Sequence, residues 1–561
     1  MSDAAVIPIP IADPLKLAWF ECNDIGNAQR LEALAGGLLK WVDDKAWVAF
    51  DGKRWSDREG NWRAQMLAHE VARHIHLEAA ALGELVGDPD KPNAQALAEK
   101  FGDWCTPERA TDKLIALHKW AVKSGEAAKT VAMLTQAKGI PGMRAWSEDF
   151  DQDPLTYNVL NGTLRFRQNP DRSWRCDFQE GHDPGDMLMQ VANVEYDPAA
   201  TCPQWRERLE LVHPDPEVRA VFPRMYGQTL TGLTDSEEFY VHKGRGGDGK
   251  SKTHEVLAEI HGDYYRHAAV KTWLQASFQK SGAEHRADLV ELAGDVRFIV
   301  SEEPPPRSTW DGELLKQFTG GGKITARAAG AAKPITFKPR AKLFVEVNPT
   351  PQMPGDDKGF RRRFRLVQWL VDLNTVPGGF EPPAELHARL IAEASGILNW
   401  LIEGALEWLA DRRVPVPERE TEALADFWTT GNPLGEWLDE ECDLTDRDAE
   451  TGSKVLFDAF KAWMARNEVE EDTQKKWNAT KFGRELGQRQ IVGKKNSAGY
   501  KVRRGIKLRT ADPLLNSAPA ADRPTSPPEA ASNFGTPDPW PYPPFESDPY
   551  ADIVEDGEAG S

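Results

Sequence analysis

The sequence predicts an α/β core in the middle of the chain, with an α+β region before it and a mainly helical region after it. Three observations lead to this fold class. A glycine-rich loop at residues 244–251 lies between a strand-like run and a helix-like run. Two apolar runs of strand length, residues 296–301 and 342–347, follow it. The segments on both sides of this core are rich in residues at helical spacing.

The composition excludes several classes of protein. The chain has 561 residues, so we expect about three or four domains rather than one core. It lacks a run of about 18 apolar residues, and residues 1–14 lack the basic start and apolar stretch of a secretory signal. The five cysteines are scattered without a C-x-x-C pair. We therefore expect reduced thiols in a cytosolic protein that has no membrane partner.

Along the chain, helical spacing alternates with short strand-like runs. Before the core, the pattern predicts a helix at 27–39, a hairpin around Asp51-Gly52 at 41–55 and several helices at 70–138. It then predicts strands around Asn161-Gly162 at 155–178 and a helical segment at 203–230 that leads to the loop. In the core, residues 239–242 are predicted as a strand and residues 252–260 as a helix. Behind it, helices at 382–409 and a linker at 413–419 lead to 421–509, predicted as helices ending in a basic hairpin.

The last 51 residues, from 511 onward, have a different composition. They contain eleven prolines, ten acidic residues and one basic residue, which predicts a disordered acidic tail. The tail contributes much of the net charge of −19, so the average charge hides two basic stretches elsewhere in the chain.

The loop at residues 244–251 fits the pattern G-x4-G-K-S/T in full. Its glycines allow backbone N–H groups to turn toward phosphates, and the following helix adds the positive end of its dipole. Lys250 is expected to reach the β- and γ-phosphates of ATP, and Ser251 to ligate Mg²⁺. A glycine-rich surface turn is the alternative. The predicted nucleotide-binding residues are Gly244, Gly246, Gly247, Asp248, Gly249, Lys250, Ser251 and Lys252.

Polar residues at the ends of the two later strands complete a hydrolytic site. Glu302 and Glu303 follow the strand at 296–301, and we assign Glu302 to the metal and Glu303 to the attacking water, although their roles are interchangeable at this stage. Asn348 ends the next strand and could position the same water, the alternative being a turn asparagine before Pro349. A solvated strand end is the alternative for the glutamates.

A cluster of arginines follows at residues 361–365. Arg362 and Arg363 are the candidates for a guanidinium that a neighbouring subunit offers to the γ-phosphate, where it would stabilise charge in the transition state. A solvated basic cluster is the alternative, and the sequence leaves open which arginine acts.

These elements, in this order and spacing, resemble the superfamily 3 helicases of the phage and plasmid primase-helicase type, which are related to poxvirus primase-helicases. The resemblance extends beyond the loop to residues 153–164, 196–205, 225–232 and 316–327. It implies an AAA+-like P-loop ATPase core, a hexameric ring and a replicative DNA helicase of a phage or mobile element in the cytoplasm of a bacterial host cell. One departure is Gly322, which stands where the family has an aspartate.

With this resemblance the chain divides into five parts. They are an N-terminal α+β region (1–95), a helicase-associated N-terminal domain (96–215), the motor (216–385), a helical linker with a winged-helix-like DNA-binding domain (386–510), and the tail (511–561). Residues 475–509 carry twelve basic residues and one acidic residue, which favours binding to nucleic acid.

A second basic stretch, residues 316–342, has seven basic residues and no acidic one. Residues 324–328 and 334–338 are predicted to pair as a hairpin around the tip at 329–332, and the resemblance implies that this hairpin tracks single-stranded DNA. Lys323 and Lys333 are the candidates for contact with DNA, while Lys316 and Arg327 either join them or brace the site. A solvated hairpin is the alternative.

Two other functions stay open. A primase-helicase would use the D-x-D pattern of Asp149, Asp151 and Asp153 to hold metal ions, although no zinc cysteines or His motif accompany it. A DNA-binding loader or switch would hydrolyse ATP without unwinding. Single-stranded and forked DNA are the expected partners, and the aromatic residues of the tail could recruit replication proteins. These are Trp540, Tyr542, Phe545 and Tyr550.

Overall fold

The computed structural model describes residues 12–88, 90–275, 286–305, 308–328, 333–348, 357–430, 433–467, 469, 474, 475, 477–489, 491–495 and 499–509. The predicted tail and the tip of the basic hairpin at 329–332 lie outside these residues. Among the described residues, no helix combines the length and the apolar character that crossing a bilayer requires.

The N-terminal part packs helices around a small antiparallel sheet. Its elements are α1 (Pro14–Leu17), α2 (Asp24–Ala35), β1 (Leu39–Val42), β2 (Ala46–Phe50), β3 (Trp55–Ser56), α3 (Asp57–Val86), α4 (Ala94–Phe101), α5 (Pro107–Ser124) and α6 (Ala127–Ala137). The predicted helix at 27–39 ends early because Gly36 and Gly37 adopt left-handed backbone angles, with φ of 56° and 83°. The predicted hairpin around Asp51-Gly52 is confirmed by the antiparallel pairing of β2 and β3.

A second antiparallel sheet precedes the core. Its elements and the helices after it are β4 (Thr156–Val159), β5 (Gly162–Gln168), β6 (Trp174–Glu180), α7 (Pro203–Val212) and α8 (Pro216–Gly227). Val159 pairs with Gly162 across a two-residue turn, as the Asn161-Gly162 signal predicted. A Cβ on Gly162 would lie 2.2 Å from the carbonyl oxygen of Gln179, so this position requires glycine.

The core contains the predicted strands in one parallel sheet. Its elements are β7 (Phe239–Lys243), α9 (Lys250–His261), β8 (Tyr265–His267), α10 (Ala287–Val290), β9 (Phe298–Glu302), α11 (Gly312–Thr319), β10 (Ile324–Ala326), β11 (Ile335–Phe337), β12 (Lys342–Val347), α12 (Lys358–Arg361) and β13 (Phe364–Gln368). The strand order is β13-β7-β12-β9-β8, and β10 pairs with β11 as a separate hairpin. Because all neighbours in the five-stranded sheet are parallel, their carboxyl ends meet at one edge.

Both faces of this sheet are covered, which explains why its strands are continuous apolar runs. Along β12, Phe344 packs with α8, α9 and the helices after the sheet, while Leu343 and Val345 pack on the other face with α11. The core on the Phe344 side also contains Tyr157 and Leu164 of the preceding antiparallel sheet. One hydrophobic core therefore spans the predicted boundary between residues 215 and 216.

The helices after the sheet lead to a C-terminal unit with its own core. The elements are α13 (Pro383–Ile391), α14 (Ala394–Asp411), α15 (Glu418–Thr430), α16 (Pro433–Glu441), β14 (Cys442–Asp443), β15 (Glu450–Gly452), α17 (Ser453–Arg466), α18 (Ala479–Gln488), β16 (Gly493–Lys495), β17 (Lys501–Arg504) and β18 (Lys507–Leu508). Trp437, Phe460 and Trp463 lie at the centre of this core. The predicted basic hairpin forms as β16 and β17, while the winged-helix assignment stays a prediction.

Acidic side chains neutralise part of the basic surface of the C-terminal unit. Lys494 pairs with Glu450, and Lys507 pairs with Asp443 at 3.2 Å. These acids precede residue 475, so the count over 475–509 alone overstates the positive charge of the folded unit.

Candidate functional site

The predicted nucleotide residues meet at the carboxyl edge of the parallel sheet. The glycine-rich loop follows β7, Glu302 ends β9, and Asn348 follows β12. The loop is tied to the neighbouring strand because the Gly244 N–H donates to the carbonyl oxygen of Val347 at 3.0 Å. Strands that are about fifty residues apart in sequence thus bring their polar ends together.

Left-handed glycines shape the loop. Gly246, Gly247 and Gly249 have φ angles of 89°, 67° and 92°, which side chains with a Cβ rarely adopt. The glycines therefore form a tight turn in which the N–H groups of Gly246 and Lys250 point toward the Asp248 side chain, and α9 begins directly after it at Lys250.

Asp248 supplies an internal anion to this loop. Its carboxylate accepts hydrogen bonds from the backbone N–H of Gly246 at 3.3 Å and of Lys250 at 3.2 Å. It also lies 3.1 Å from Lys250 Nζ, and each of these two side chains is only 4% exposed. Lys250 Nζ additionally donates to Asn348 Oδ1 at 2.8 Å. The loop thus positions its donors around a carboxylate that belongs to the chain itself.

The two predicted acids have different surroundings. The side chain of Glu302 is exposed at the end of β9 and forms no hydrogen bond or ion pair within the described part of the chain. Glu303 adopts a left-handed backbone angle, with φ of 25°, and accepts a hydrogen bond from the side-chain amide of Asn348. Asn348 therefore bridges Lys250 and Glu303, which groups the lysine, the amide and one carboxylate around the same space.

A third carboxylate, Glu346, was missed by the sequence analysis. It lies within β12, pairs in register with Glu302 of β9, and accepts hydrogen bonds from Ser251 Oγ and, at 2.6 Å, from His254 Nδ1. Burial alone raises the pKa of Glu346, but the hydrogen bonds from His254 and Ser251 outweigh it and hold the pKa below its ordinary value. A single acid inside an otherwise apolar strand was the signal that could have identified it.

The oxygen donors of this edge fit a magnesium ion that is shared with a nucleotide. Ser251, Glu302 and Glu346 offer the hydroxyl and carboxylate oxygens that Mg²⁺ prefers. Among the described residues, no three His, Cys, Asp or Glu side chains converge to form a complete ion cage. A magnesium ion would therefore depend on phosphate oxygens and water for its remaining ligands, as is usual for this ion.

Arg362 and Arg363 lie away from the loop. They precede β13, whose first residue Phe364 pairs with Phe239 at the amino end of β7. Both arginines pair with Glu237 at 2.6 Å, but the side chain of Arg362 is 64% exposed whereas that of Arg363 is 10% exposed. Both lie at the opposite edge of the sheet from the glycine-rich loop of their own chain, and Arg362 is the more accessible from outside.

The hairpin β10–β11 presents fewer free basic side chains than its sequence suggested. Lys342 is fully buried at the start of β12, where its ammonium donates to Thr231, and burial lowers its pKa well below the ordinary value. Lys316 pairs with Asp357 at 2.6 Å. The side chains that are exposed and form no ion pair within the described part of the chain are those of Lys323, Arg327, Lys333 and Lys338.

The D-x-D aspartates stabilise local structure. Asp149 accepts a hydrogen bond from the Trp146 N–H at 2.7 Å, and Asp153 accepts one from the Thr156 hydroxyl at 2.7 Å. Asp151 is buried and accepts a hydrogen bond from the Met189 N–H at 2.8 Å. Because each carboxylate already has a structural partner, this loop gives no support to a polymerase site.

Comparisons with known proteins identify relatives over much of the chain. Residues 28–214 match the protein family described as D5 N terminal like. The Acanthamoeba polyphaga mimivirus protein named "Putative helicase L207/L206" is 25% identical over 333 residues, which are 59% of this chain and 32% of that protein. The protein named "Putative helicase 022R" of Frog virus 3 (isolate Goorha) is 26% identical over 270 residues, which are 46% of this chain and 27% of that protein.

The chain thus spans about a third or less of the length of the curated relatives that it matches. Among solved structures, an A form apo structure of the NrS-1 C terminal region aligns with 62% of this chain and 94% of its own, at 11% identity and a TM-score of 0.33. A second apo structure of that region, residues 305–718, aligns with 63% and 99% at 10% identity and a TM-score of 0.34.

Proposed function

We propose that the chain, whose residues 28–214 match the family described as D5 N terminal like, is an ATP-dependent replicative DNA helicase of a phage or mobile element. In this proposal it forms a hexameric ring and translocates on single-stranded DNA. The observation that carries the proposal is the convergence of Lys250, Asn348, Glu302 and Glu303 at the carboxyl edge of one parallel sheet. A glycine-rich turn alone would not place these groups together.

The proposed core is an AAA+-like P-loop ATPase. Its support is the strand order, in which β12 is inserted between the strand of the loop and the strand of the acids. This insertion places Asn348 between the loop and Glu303, where it contacts both sides. A water molecule held near Asn348 and Glu303 would face the end of a triphosphate bound by the loop.

Each residue has a defined role in the proposed hydrolysis. The loop N–H groups and Lys250 bind the phosphates. Ser251 and Glu302 would hold Mg²⁺, which would neutralise the negative charge of the phosphates. Glu303 accepts the proton of the attacking water, and Asn348 orients Glu303 through its amide.

Arg362 fits a role in the neighbouring subunit. It lies at the amino edge of the sheet, opposite the loop, and its side chain is largely exposed. A ring requires a head-to-tail interface that joins two different surfaces of the same chain. Such an interface can bring the amino edge of one subunit to the carboxyl edge of the next, where a guanidinium stabilises the charge of the transferred phosphoryl group.

The hairpin β10–β11 is the proposed contact with DNA. Lys323, Arg327 and Lys333 are exposed on it without acidic partners in the part of the chain that the structure describes. Their ammonium and guanidinium groups are therefore available to successive phosphates of one strand. Lys316 instead pairs with Asp357, which connects α11 to the start of α12.

Strand displacement on a forked DNA duplex tests the proposal. The wild-type chain should separate the strands with ATP and Mg²⁺, and Lys250→Ala should lower the rate by about 100-fold or more because the phosphates lose their cation. Lys271→Ala is the matched control, since this lysine is exposed and lies outside the site. DNA-stimulated ATP hydrolysis without strand displacement would contradict the helicase and favour a loader or switch.

A further inference from the structure

A chain of hydrogen bonds connects the interior of the core to the metal side of the nucleotide loop. The Tyr226 hydroxyl lies 3.0 Å from His254 Nε2, and His254 Nδ1 lies 2.6 Å from one carboxylate oxygen of Glu346. The other carboxylate oxygen of Glu346 accepts a hydrogen bond from Ser251 Oγ. The series therefore begins on α8, crosses α9 and β12, and ends on the hydroxyl proposed to ligate magnesium.

The geometry of α9 makes this arrangement possible. Ser251 and His254 are three residues apart, so their side chains lie on the same face of the helix, toward β12. Tyr226 is fully buried and stacks on Phe344 with a centroid distance of 5.0 Å and an interplanar angle of 12°, which fixes the far end of the series. His254 consequently has both ring nitrogens engaged and little freedom to turn.

Glu346 is buried, so its carboxylate needs hydrogen-bond donors. It is 3% exposed, and an ionised carboxylate at this depth is costly unless hydrogen bonds or a cation compensate it. The described contacts supply two donors, His254 and Ser251. Glu302 is the register partner of Glu346, yet it is exposed and the Ser251 hydroxyl bonds to Glu346 instead.

The direction of the serine hydrogen bond matters for a cation. A hydroxyl has one hydrogen and two acceptor lone pairs, and a carboxylate can only accept. Ser251 therefore donates its hydrogen to Glu346, and its lone pairs are directed away from that bond. This orientation is the one that a metal ligand needs, because the cation binds the lone pairs.

We propose that Glu346 is a positioning residue that orients the Ser251 hydroxyl toward nucleotide-bound magnesium, and that His254 and Tyr226 hold Glu346 in place. This inference rests on the proposed function, because it concerns the same nucleotide site. It assigns the metal side of the site to two carboxylates with different tasks: Glu302 faces the ion, and Glu346 acts through Ser251.

The test compares the affinity for ATP with and without magnesium in the full chain. Binding of ATP is measured by calorimetry in excess Mg²⁺ and again with a chelator, and Mn²⁺ binding to the ATP complex is measured by electron paramagnetic resonance. Glu346→Gln should weaken Mn²⁺ and Mg²⁺-ATP binding by about 10- to 100-fold, as loss of a partner of a metal ligand typically does. Binding of metal-free ATP should stay within about twofold of the wild type.

Two further variants should produce smaller losses of Mg²⁺-ATP binding, and a third variant is the control. His254→Asn and Tyr226→Phe should weaken Mg²⁺-ATP binding in the same direction by smaller factors, because they loosen Glu346 without removing it. Glu259→Gln is the control, since Glu259 also lies on α9 and pairs with a histidine, His387, but is distant from Ser251 in the helix. It should leave both affinities unchanged.

The outcomes separate this inference from the proposed function. If Glu346→Gln binds Mg²⁺-ATP as the wild type does, or loses metal-free ATP to the same extent, Glu346 does not position the metal ligand. If Glu346→Gln fails to fold, Tyr226→Phe decides the question, and a magnesium-independent loss in that variant overturns the inference. Absence of any ATP binding by the wild-type chain would instead contradict the proposed function.

Discussion

Single side chains set the charge of two buried polar clusters in the described part of this chain. In the nucleotide loop, Asp248 accepts hydrogen bonds from the donors that a phosphate group would require. Near the second antiparallel sheet, Asp151 and Asp295 lie close together and Arg297 pairs with Asp295 at 2.6 Å.

Replacing Asp248 with asparagine should strengthen nucleotide binding. The carboxylate competes with phosphate for Lys250 and for two backbone N–H groups, and its charge repels a triphosphate in a site with little solvent. We expect Asp248→Asn to raise the affinity for metal-free ATP by about tenfold, which corresponds to about 1.4 kcal/mol. Calorimetric titration measures this affinity. Asp263→Asn is unsuitable as a control, because Asp263 pairs with Arg54 and so joins the N-terminal hairpin to the core.

The matched control for this experiment is Asp372→Asn, which removes a carboxylate next to the loop that forms no contact with Lys250 in the described structure. It should change the affinity much less than Asp248→Asn does. Weaker ATP binding by Asp248→Asn would show that the carboxylate supports the loop rather than competing with phosphate.

Asp151 should make the stability of the fold depend on pH. Burial, and then the neighbouring Asp295, raise the pKa of Asp151 to about 7 from its ordinary value of 3.8. The folded chain therefore binds a proton that the unfolded chain releases above pH 3.8, so this contribution to stability is present at low pH and is lost as the pH rises through about 7.

Asp151→Asn should accordingly raise the melting temperature by more at pH 8 than at pH 5, because asparagine resembles the protonated acid and still offers an acceptor to Met189. Thermal unfolding followed by circular dichroism at both pH values checks this. An equal shift at the two pH values would contradict the assigned titration.

At the scale of elements, sequence patterns predicted where the strands lie in the chain but not which strands lie side by side in the sheet. The apolar run at 342–347 and the helix after the loop form where they were predicted, because strand length and turn residues are local properties. The sequence marks Glu346 as an acid within an apolar strand but does not give its partner, since its contact with Ser251 depends on β12 lying beside β7. The burial of Lys342 was invisible for the same reason, as its surroundings come from distant segments.

The hairpin β10–β11 is the element whose exposed charges should bind DNA. Lys323→Ala and Lys333→Ala should each weaken binding of single-stranded DNA and reduce the slope of log affinity against log salt by about 0.7. ATP affinity should not change, because Lys323 and Lys333 form no described contact with the glycine-rich loop. Fluorescence anisotropy with an oligonucleotide at several salt concentrations measures both quantities, and Lys271→Ala provides the control.

An unchanged salt slope in the double variant Lys323→Ala/Lys333→Ala would contradict a phosphate contact at this hairpin. It would leave the C-terminal unit, where Lys495 and Lys501 are exposed, as the principal contact with nucleic acid.

At the scale of the whole molecule, the proposed role of Arg362 would make ATP hydrolysis a property of neighbouring chains. Arg362→Ala should lower ATP hydrolysis by about 1,000-fold while ATP binding is retained, because only the transition state loses a cation. Mixing Arg362→Ala with Lys250→Ala chains should restore part of the activity, since some interfaces then combine an intact loop with an intact arginine. Steady-state hydrolysis of the mixture measures this, and Arg413→Ala, an exposed arginine elsewhere, is the control.

Failure of the mixture to exceed the sum of its components would contradict an arginine that acts between subunits. The sequence located this arginine cluster, whereas the structure separates its members by accessibility, because Glu237 and the turn before β13 bury Arg363.

The guanidinium of Arg297 holds together segments that the sequence assigned to different domains. It donates to the carbonyl oxygen of Thr156 at 2.7 Å and to that of Leu230 at 2.5 Å, and it is fully buried beside Tyr157 and Tyr264. The region that matches the D5 N terminal like family and the parallel sheet are therefore not structurally independent in this chain. A chimera that replaces only one side of this junction should leave the buried guanidinium of Arg297 without acceptors and destabilise the fold.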